Sequence, residues 1–246
     1  MFVVMATQDF NLRFRDASPQ GILEWLADEE GFTAVMSTSF GIYSAAFLHM
    51  VTSHLPQIPV IWIDTGYLPA ETYQFAERLT KKLELNVKTY QSYLSPARME
   101  AQYGKLWESD DVNKLDQYDL IRKVIPMQRA LKVEGADCLL AGLRREQTEN
   151  RNTMSRFMEQ NGVLKILPIL HWVTKDIHRY IKSHDLPFHP LYEKGYVTVG
   201  DAHSSRPMTV DDAHERSTRF RGKKQECGLH LEVSEALIES LNSSAL

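Results

Sequence analysis

The feature that most constrains this chain is a repeated alternation between short apolar runs of strand length and longer stretches whose apolar residues recur at helical spacing. Residues 32–37, 59–64, 86–90, 137–141 and 163–167 read as strands, and residues 42–53, 69–83, 120–134 and 174–183 as helices. Strands that are apolar throughout, rather than at every second residue, are buried on both faces. The expected architecture is therefore α/β, a mostly parallel sheet with helices on both faces, because parallel strands need crossover connections. After His184 this periodicity fades, and Gly, Pro and basic residues become frequent. The chain is thus read as an α/β domain over residues 1–190 and a mobile C-terminal arm over residues 191–246.

The 246 residues are 43% apolar and 24% charged, an ordinary globular balance. A formal net charge of −4 argues against a nucleic-acid binder, whose affinity rests on many Lys and Arg contacts to phosphate. No apolar run is long enough to span a membrane, and residues 1–10 lack the pattern of a secretory signal, so no membrane partner and a cytoplasmic location are expected. Only Cys138 and Cys227 are present, too few for a disulfide framework or for a four-thiolate metal site within one chain. Cys138 lies inside a strand and reads as a small core residue, which leaves Cys227 for any thiol chemistry. His171, His178, His184 and His189 lack a thiol or carboxylate at ligand spacing, and no metal site is expected.

Three loops are placed to hold an anion. The first, Ser37-Thr38-Ser39-Phe40-Gly41-Ile42-Tyr43-Ser44, leaves a strand and opens a helix, where unpaired amides, the helix dipole and small hydroxyls favour phosphate or sulfate oxygens. The same serines also suit an ordinary N-cap, so this loop alone decides nothing. Asp64-Thr65-Gly66 stands at the end of the next strand, at the carboxyl edge where open α/β sheets bind ligands, and it also suits a plain turn. Gly142-Leu143-Arg144-Arg145-Glu146-Gln147, with Arg151, brings guanidinium forks to that edge. Near the C-terminus, Arg216, Arg219, Arg221, Lys223 and Lys224 precede Cys227, and cations near a thiol favour the nucleophilic thiolate.

These segments together resemble the family of phosphoadenylyl-sulfate (PAPS) and adenylyl-sulfate reductases. The serine-rich turn is similar to that family's modified pyrophosphate loop, in the adenine nucleotide alpha hydrolase-like fold, and Asp64-Thr65-Gly66 and Gly142-Leu143-Arg144-Arg145-Glu146-Gln147 are similar to its nucleotide loops. Glu226-Cys227-Gly228-Leu229-His230 resembles its C-terminal signature. Lys123 in Ile121-Arg122-Lys123-Val124, Pro168, and the run from Val199 to Pro207 extend the likeness over most of the chain. The resemblance implies Cys227 as the catalytic residue. It implies a substrate site drawn from Ser37, Thr38, Ser39, Phe40, Gly41, Ser44, Asp64, Thr65, Gly66, Lys123, Gly142, Arg144, Arg145, Gln147, Arg151, Arg216 and Arg219, with His230 as a possible auxiliary group.

The family divides by cofactor, one branch holding a four-iron cluster on four cysteines. Tyr118, Asp119, Asp201 and Ser204 stand at those positions here, and none is a thiolate. The likeness is therefore to the cluster-free branch, which implies PAPS as substrate, no bound cofactor, reduced thioredoxin or glutaredoxin as electron donor, and a homodimer. The implied reaction releases sulfite and adenosine 3′,5′-bisphosphate through an S-sulfonate on Cys227. Three alternatives stay open at this level: a cluster-free adenylyl-sulfate reductase, an ATP pyrophosphatase, and a nucleotide-binding regulator on the same fold.

Overall fold

The computed structural model describes residues 3–212 and 215–223. In chain order they form α1 (Val3–Arg13), α2 (Pro19–Asp28), β1 (Ala34–Thr38), α3 (Ser44–His54), β2 (Pro59–Ile63), α4 (Ala70–Leu83), β3 (Asn86–Tyr90), α5 (Pro96–Tyr103), α6 (Val112–Asp119), α7 (Ile125–Val133), β4 (Cys138–Ala141), β5 (Phe157–Gln160), β6 (Val163–Ile166) and α8 (Thr174–Ser183). Ser18 caps α2 and Ser95 caps α5, each ahead of a proline at the first helical positions, where the missing N–H costs nothing.

The six strands lie in the order β3-β2-β1-β4-β6-β5. All neighbours are parallel except the β5–β6 pair. That pair is a hairpin closed by Asn161 and Gly162, both at positive φ, the mirror-image turn that suits strand twist. Alternate strand residues serve opposite faces. Met36, Val60, Trp62, Cys138 and Leu140 join the main core beneath α2, α3, α4 and α8, while Val35, Ile61, Ile63 and Leu139 pack on α7. Helices on both faces of a mostly parallel sheet are the architecture expected from the apolar runs.

Between α6 and α7 the chain stays helical, but residues Leu120–Val124 form a π turn. Pro126 accounts for it: its nitrogen cannot donate to the carbonyl one turn back, and its ring would press on that carbonyl. Widening the turn relieves the clash and presents Arg122 and Lys123 from a local bulge. Beyond α8 the chain is irregular yet packed, with Leu191 and Val199 buried against Ile42. Ala202 donates its amide to the Tyr67 carbonyl at 2.7 Å, so this segment is fastened beside the loop that follows β2.

Candidate active site

The strand order reverses at β1, which has β2 and β3 on one side and β4, β6 and β5 on the other. Loops leaving β1 and β4 diverge there and open a crevice at the carboxyl edge. A cleft of about 260 Å³ lies at this point. Of the residues expected from the sequence, Ser37, Thr38, Ser39, Gly41, Ser44, Thr65, Lys123, Gly142, Arg144, Gln147, Arg151 and Arg219 line it.

The serine loop does not behave as an ordinary capped turn. The N-cap of α3 is Tyr43, and no side chain caps the helix. Thr38 Oγ1 instead accepts from the Phe40 amide at 3.1 Å, folding the loop on itself. Phe40 has a φ of 47°, a left-handed value uncommon outside glycine. Its ring is fully buried and meets Trp62 edge-on at 5.0 Å, so Phe40 anchors the loop from the core while Ser39 and Gly41 face the cleft.

In the loop after β2, Asp64 shapes the backbone. Its Oδ1 accepts from the Gly66 amide at 2.8 Å and the Tyr73 hydroxyl at 2.7 Å, and its Oδ2 from Gln91 Nε2 at 2.6 Å. Gly66, at φ 75°, lies where a Cβ would meet Pro96 at 2.8 Å. Both residues stand behind the cleft wall, with Thr65 in it.

The arginine loop separates its two neighbouring guanidiniums. Arg144 is buried, bonds Glu146 and Thr174 Oγ1, and lies over the Tyr43 ring at 5.5 Å, while its buried Nη2 has no partner among the described residues. Arg145 turns away: its side chain donates to the Met154 carbonyl at 2.9 Å and its amide to Leu170 O at 2.8 Å. Gln147 Oε1 accepts from the Arg144 amide and from Arg151, tying the loop into one rigid unit.

On the opposite wall Lys123 Nζ stands 2.7 Å from Asp119 and 3.1 Å from Asp201. Asp201 also accepts from the Thr65 hydroxyl. Burial alone would raise the Asp201 carboxyl, but Lys123, the Thr65 hydrogen bond, Arg219 and His203 outweigh it and hold the group well below the usual carboxylate range. Tyr118 and Ser204 complete the surroundings: Tyr118 places its hydroxyl 3.1 Å from His203 Nε2, and Ser204 Oγ accepts from Arg219 at 3.3 Å. Tyr118, Asp119, Asp201 and Ser204 thus converge in space and frame a lysine–carboxylate cluster. The sequence offers Asp119 and Asp201 only as positions without a cluster cysteine, and Tyr43 only as part of the serine loop; their contacts with Lys123 and Arg144 come from the fold.

Cys227 and His230 lie outside the described residues. Arg216 belongs to a 3-10 turn, Glu215–Thr218, and its side chain also lies outside them. Cys138 is fully buried in β4, where burial pushes its thiol up to about 12, so it offers no thiolate near neutrality. None of the described helices is long and apolar enough to cross a membrane.

Comparison with known proteins bears on this geometry. A family model described as the phosphoadenosine phosphosulfate reductase domain matches residues 33–207. The phosphoadenosine 5′-phosphosulfate reductase of Synechocystis sp. is 58% identical over 231 residues, covering 94% of this chain and 93% of that protein. A PAPS reductase from Candida auris, solved as a phosphate complex, superposes with a TM-score of 0.72 at 26% identity, covering 84% of this chain and 98% of that one. The FMN adenylyltransferase of Candida glabrata has a TM-score of 0.55 at 13% identity over 92% of this chain and 79% of that one, a likeness of fold alone. The matched segment takes in the serine loop, the arginine loop, Lys123 and Asp201, and with it the chain belongs to the phosphoadenosine phosphosulfate reductase family.

Proposed function

We propose that this chain reduces PAPS to sulfite and adenosine 3′,5′-bisphosphate with electrons from reduced thioredoxin, glutaredoxin serving in its place. The observation that carries the reading is the convergence of Lys123, Arg144, Arg151 and Arg219 with the serine loop on one cleft. A nucleotide bearing a phosphosulfate and a 3′ phosphate is polyanionic, and guanidinium forks and loop hydroxyls are suited to its oxygens. Phe47, Leu48, Leu143 and Ile177 give the cleft an apolar side for a base.

Cys227 is the nucleophile in this reading. Its thiolate attacks the sulfonate sulfur, the bond from sulfur to the phosphate oxygen breaks, and adenosine 3′,5′-bisphosphate leaves with the bonding electrons. Cys227 then carries an S-sulfonate. A thioredoxin thiolate attacks the Cys227 sulfur, sulfite departs with the electron pair, and a mixed disulfide forms. The second thioredoxin thiol resolves it, returning the Cys227 thiolate and leaving thioredoxin oxidised by two electrons. Cys227 meets the cleft in the first step and thioredoxin in the second. His230 is an auxiliary group beside the thiol, and Lys123, Arg144, Arg151, Arg216 and Arg219 offset charge on the leaving group.

No iron–sulfur cluster takes part. Tyr118, Asp119, Asp201 and Ser204 cannot ligate iron as thiolates, and Lys123 stands among them. A homodimer in the cytoplasm accompanies this reading.

Intact-protein mass spectrometry tests it. Reduced protein mixed with PAPS gains one sulfonate, the Cys227→Ser variant gains none, and reduced thioredoxin removes the adduct as sulfite appears. Nucleotide binding without adduct or sulfite would leave an adenylating enzyme or a nucleotide-binding regulator in its place.

A further inference from the structure

We infer that Asp201 is the positioning residue of this cleft: a buried fixed charge that aims Lys123 and seats Arg219, and thereby sets where the segment leading to Cys227 meets the substrate. The inference rests on the proposed PAPS reduction and deepens it.

Asp201 is 1% exposed, and a carboxylate so buried persists only with partners. Its direct partners come from separate parts of the chain, Thr65 after β2 and Lys123 on the π turn, and the Arg219 guanidinium from the last described segment lies on the same loop, over Gly200 and bonded to Ser204. The loop of Asp201 is fixed in turn, because Ser205 Oγ donates to the Asp201 carbonyl at 2.9 Å and Ala202 donates to Tyr67 O. The acid is therefore stationary, and the cations are arranged around it.

Arg219 is the link to the C-terminus. Its guanidinium lies directly on Gly200, where any Cβ would overlap it, and its Nη2 bonds Ser204. Its backbone pairs with Ser205 in an isolated antiparallel bridge. Phe220 is buried next to it, its ring 5.2 Å from Lys123 Nζ. The loop centred on Asp201 thus holds both the lysine that faces the cleft and the segment that continues, within a few residues, to Cys227. Asp119 supplies Lys123 with a second carboxylate, so removing the Asp201 charge would take from the ammonium one of two carboxylates that hold it.

Simple charge balance and positioning differ over the rate, not the affinity, of Asp201→Asn. Deleting a negative charge beside an anion site would by itself tighten nucleotide binding. Positioning requires that transfer of the sulfonate to Cys227 slow while binding stays level or tightens, since misaiming by about an ångström can cost on the order of 100-fold in rate. The experiment is single-turnover sulfonation of Cys227 by PAPS, with calorimetric affinity for adenosine 3′,5′-bisphosphate and hydrogen exchange over residues 215–223, in the parent, Asp201→Asn and Gly200→Ala. Gly200→Ala keeps the acid and displaces only the Arg219 guanidinium, so it stands in if Asp201→Asn fails to fold.

The expected result is a sulfonation rate at least tenfold lower in both variants, affinity within threefold of the parent or tighter in Asp201→Asn, and faster exchange confined to residues 215–223. The two effects should combine to less than their product in the double variant, since both act through Arg219. Rates within threefold of the parent, or affinity and rate falling together with no local change in exchange, would overturn the inference. A parent that binds nucleotide but forms no adduct sinks the proposed reaction instead, and the exchange data then decide the positioning role alone.

Discussion

The Cα of Gly142 faces the Phe47 ring so closely that a Cβ at position 142 would lie 2.9 Å from it. Both residues line the cleft, Gly142 just past β4 and Phe47 on α3. Gly142→Ala must move the ring, and the packed core behind it leaves little room on that side. The ring should therefore shift into the cleft. The expected outcome is a roughly tenfold weaker affinity for adenosine 3′,5′-bisphosphate, at a cost in stability on the order of 1–3 kcal/mol. Titration calorimetry and thermal unfolding check the two parts, and unchanged affinity would mean that the core absorbs the displacement.

His189 is held neutral by its partners. It is fully buried, its Nδ1 accepts from the Leu191 amide at 3.1 Å, and its Nε2 stands 3.1 Å from Thr72 Oγ1. An amide only donates, so a proton on Nδ1 would set two N–H groups against each other. Burial lowers this histidine to about 4, from the ordinary 6.5. The unfolded chain therefore takes up a proton before the folded one does. Stability is fully present above about pH 6.5 and falls as the pH drops toward 4, by up to roughly 3 kcal/mol from this site. Urea unfolding across that range should show the loss, with a shallower slope in His189→Asn.

Arg122 is almost wholly buried and donates to two main-chain carbonyls, Leu94 O and Thr65 O, with its guanidinium 5.4 Å from the Tyr67 ring. It ties the loops after β2 and β3 to the π turn. Arg122→Met fills much of the volume but leaves both carbonyls without that donor. A loss of about 2–4 kcal/mol in urea unfolding is expected, larger than for Arg122→Lys, which can keep one of the bonds.

Much of this was legible in the sequence. β3 and α8 fall where periodicity puts them, and the other parallel strands agree within two residues at each end, because continuous apolar runs register burial on both sheet faces. β5 was not read, although Asn161-Gly162 between short apolar runs is a hairpin signal, since four residues carry too little alternation. The expected single helix over 120–134 hid the π turn, whose cause is one proline. The three loops met at one edge because parallel topology forces it. Asp201 could be read from the sequence only as a position without a cluster cysteine, because its contacts at 65 and 123 are brought together only by tertiary structure.

Neighbouring arginines that the sequence cannot tell apart should behave differently. Arg144 lines the cleft with a buried Nη2 that no described residue satisfies, whereas Arg145 is not part of its lining and donates from Nη2 to the Met154 carbonyl behind the loop. A hydrogen bond from a guanidinium to an anion is worth about 1.5–3 kcal/mol, so Arg144→Ala should weaken binding of adenosine 3′,5′-bisphosphate on the order of 10–100-fold. Arg145→Ala should change that affinity by less than about threefold while lowering stability by roughly 1 kcal/mol through the lost loop contact. Calorimetry of the two variants at fixed ionic strength separates them. Equal losses of affinity would mean that the loop turns Arg145 inward when nucleotide binds, since its place in the free protein gives it no route to the ligand.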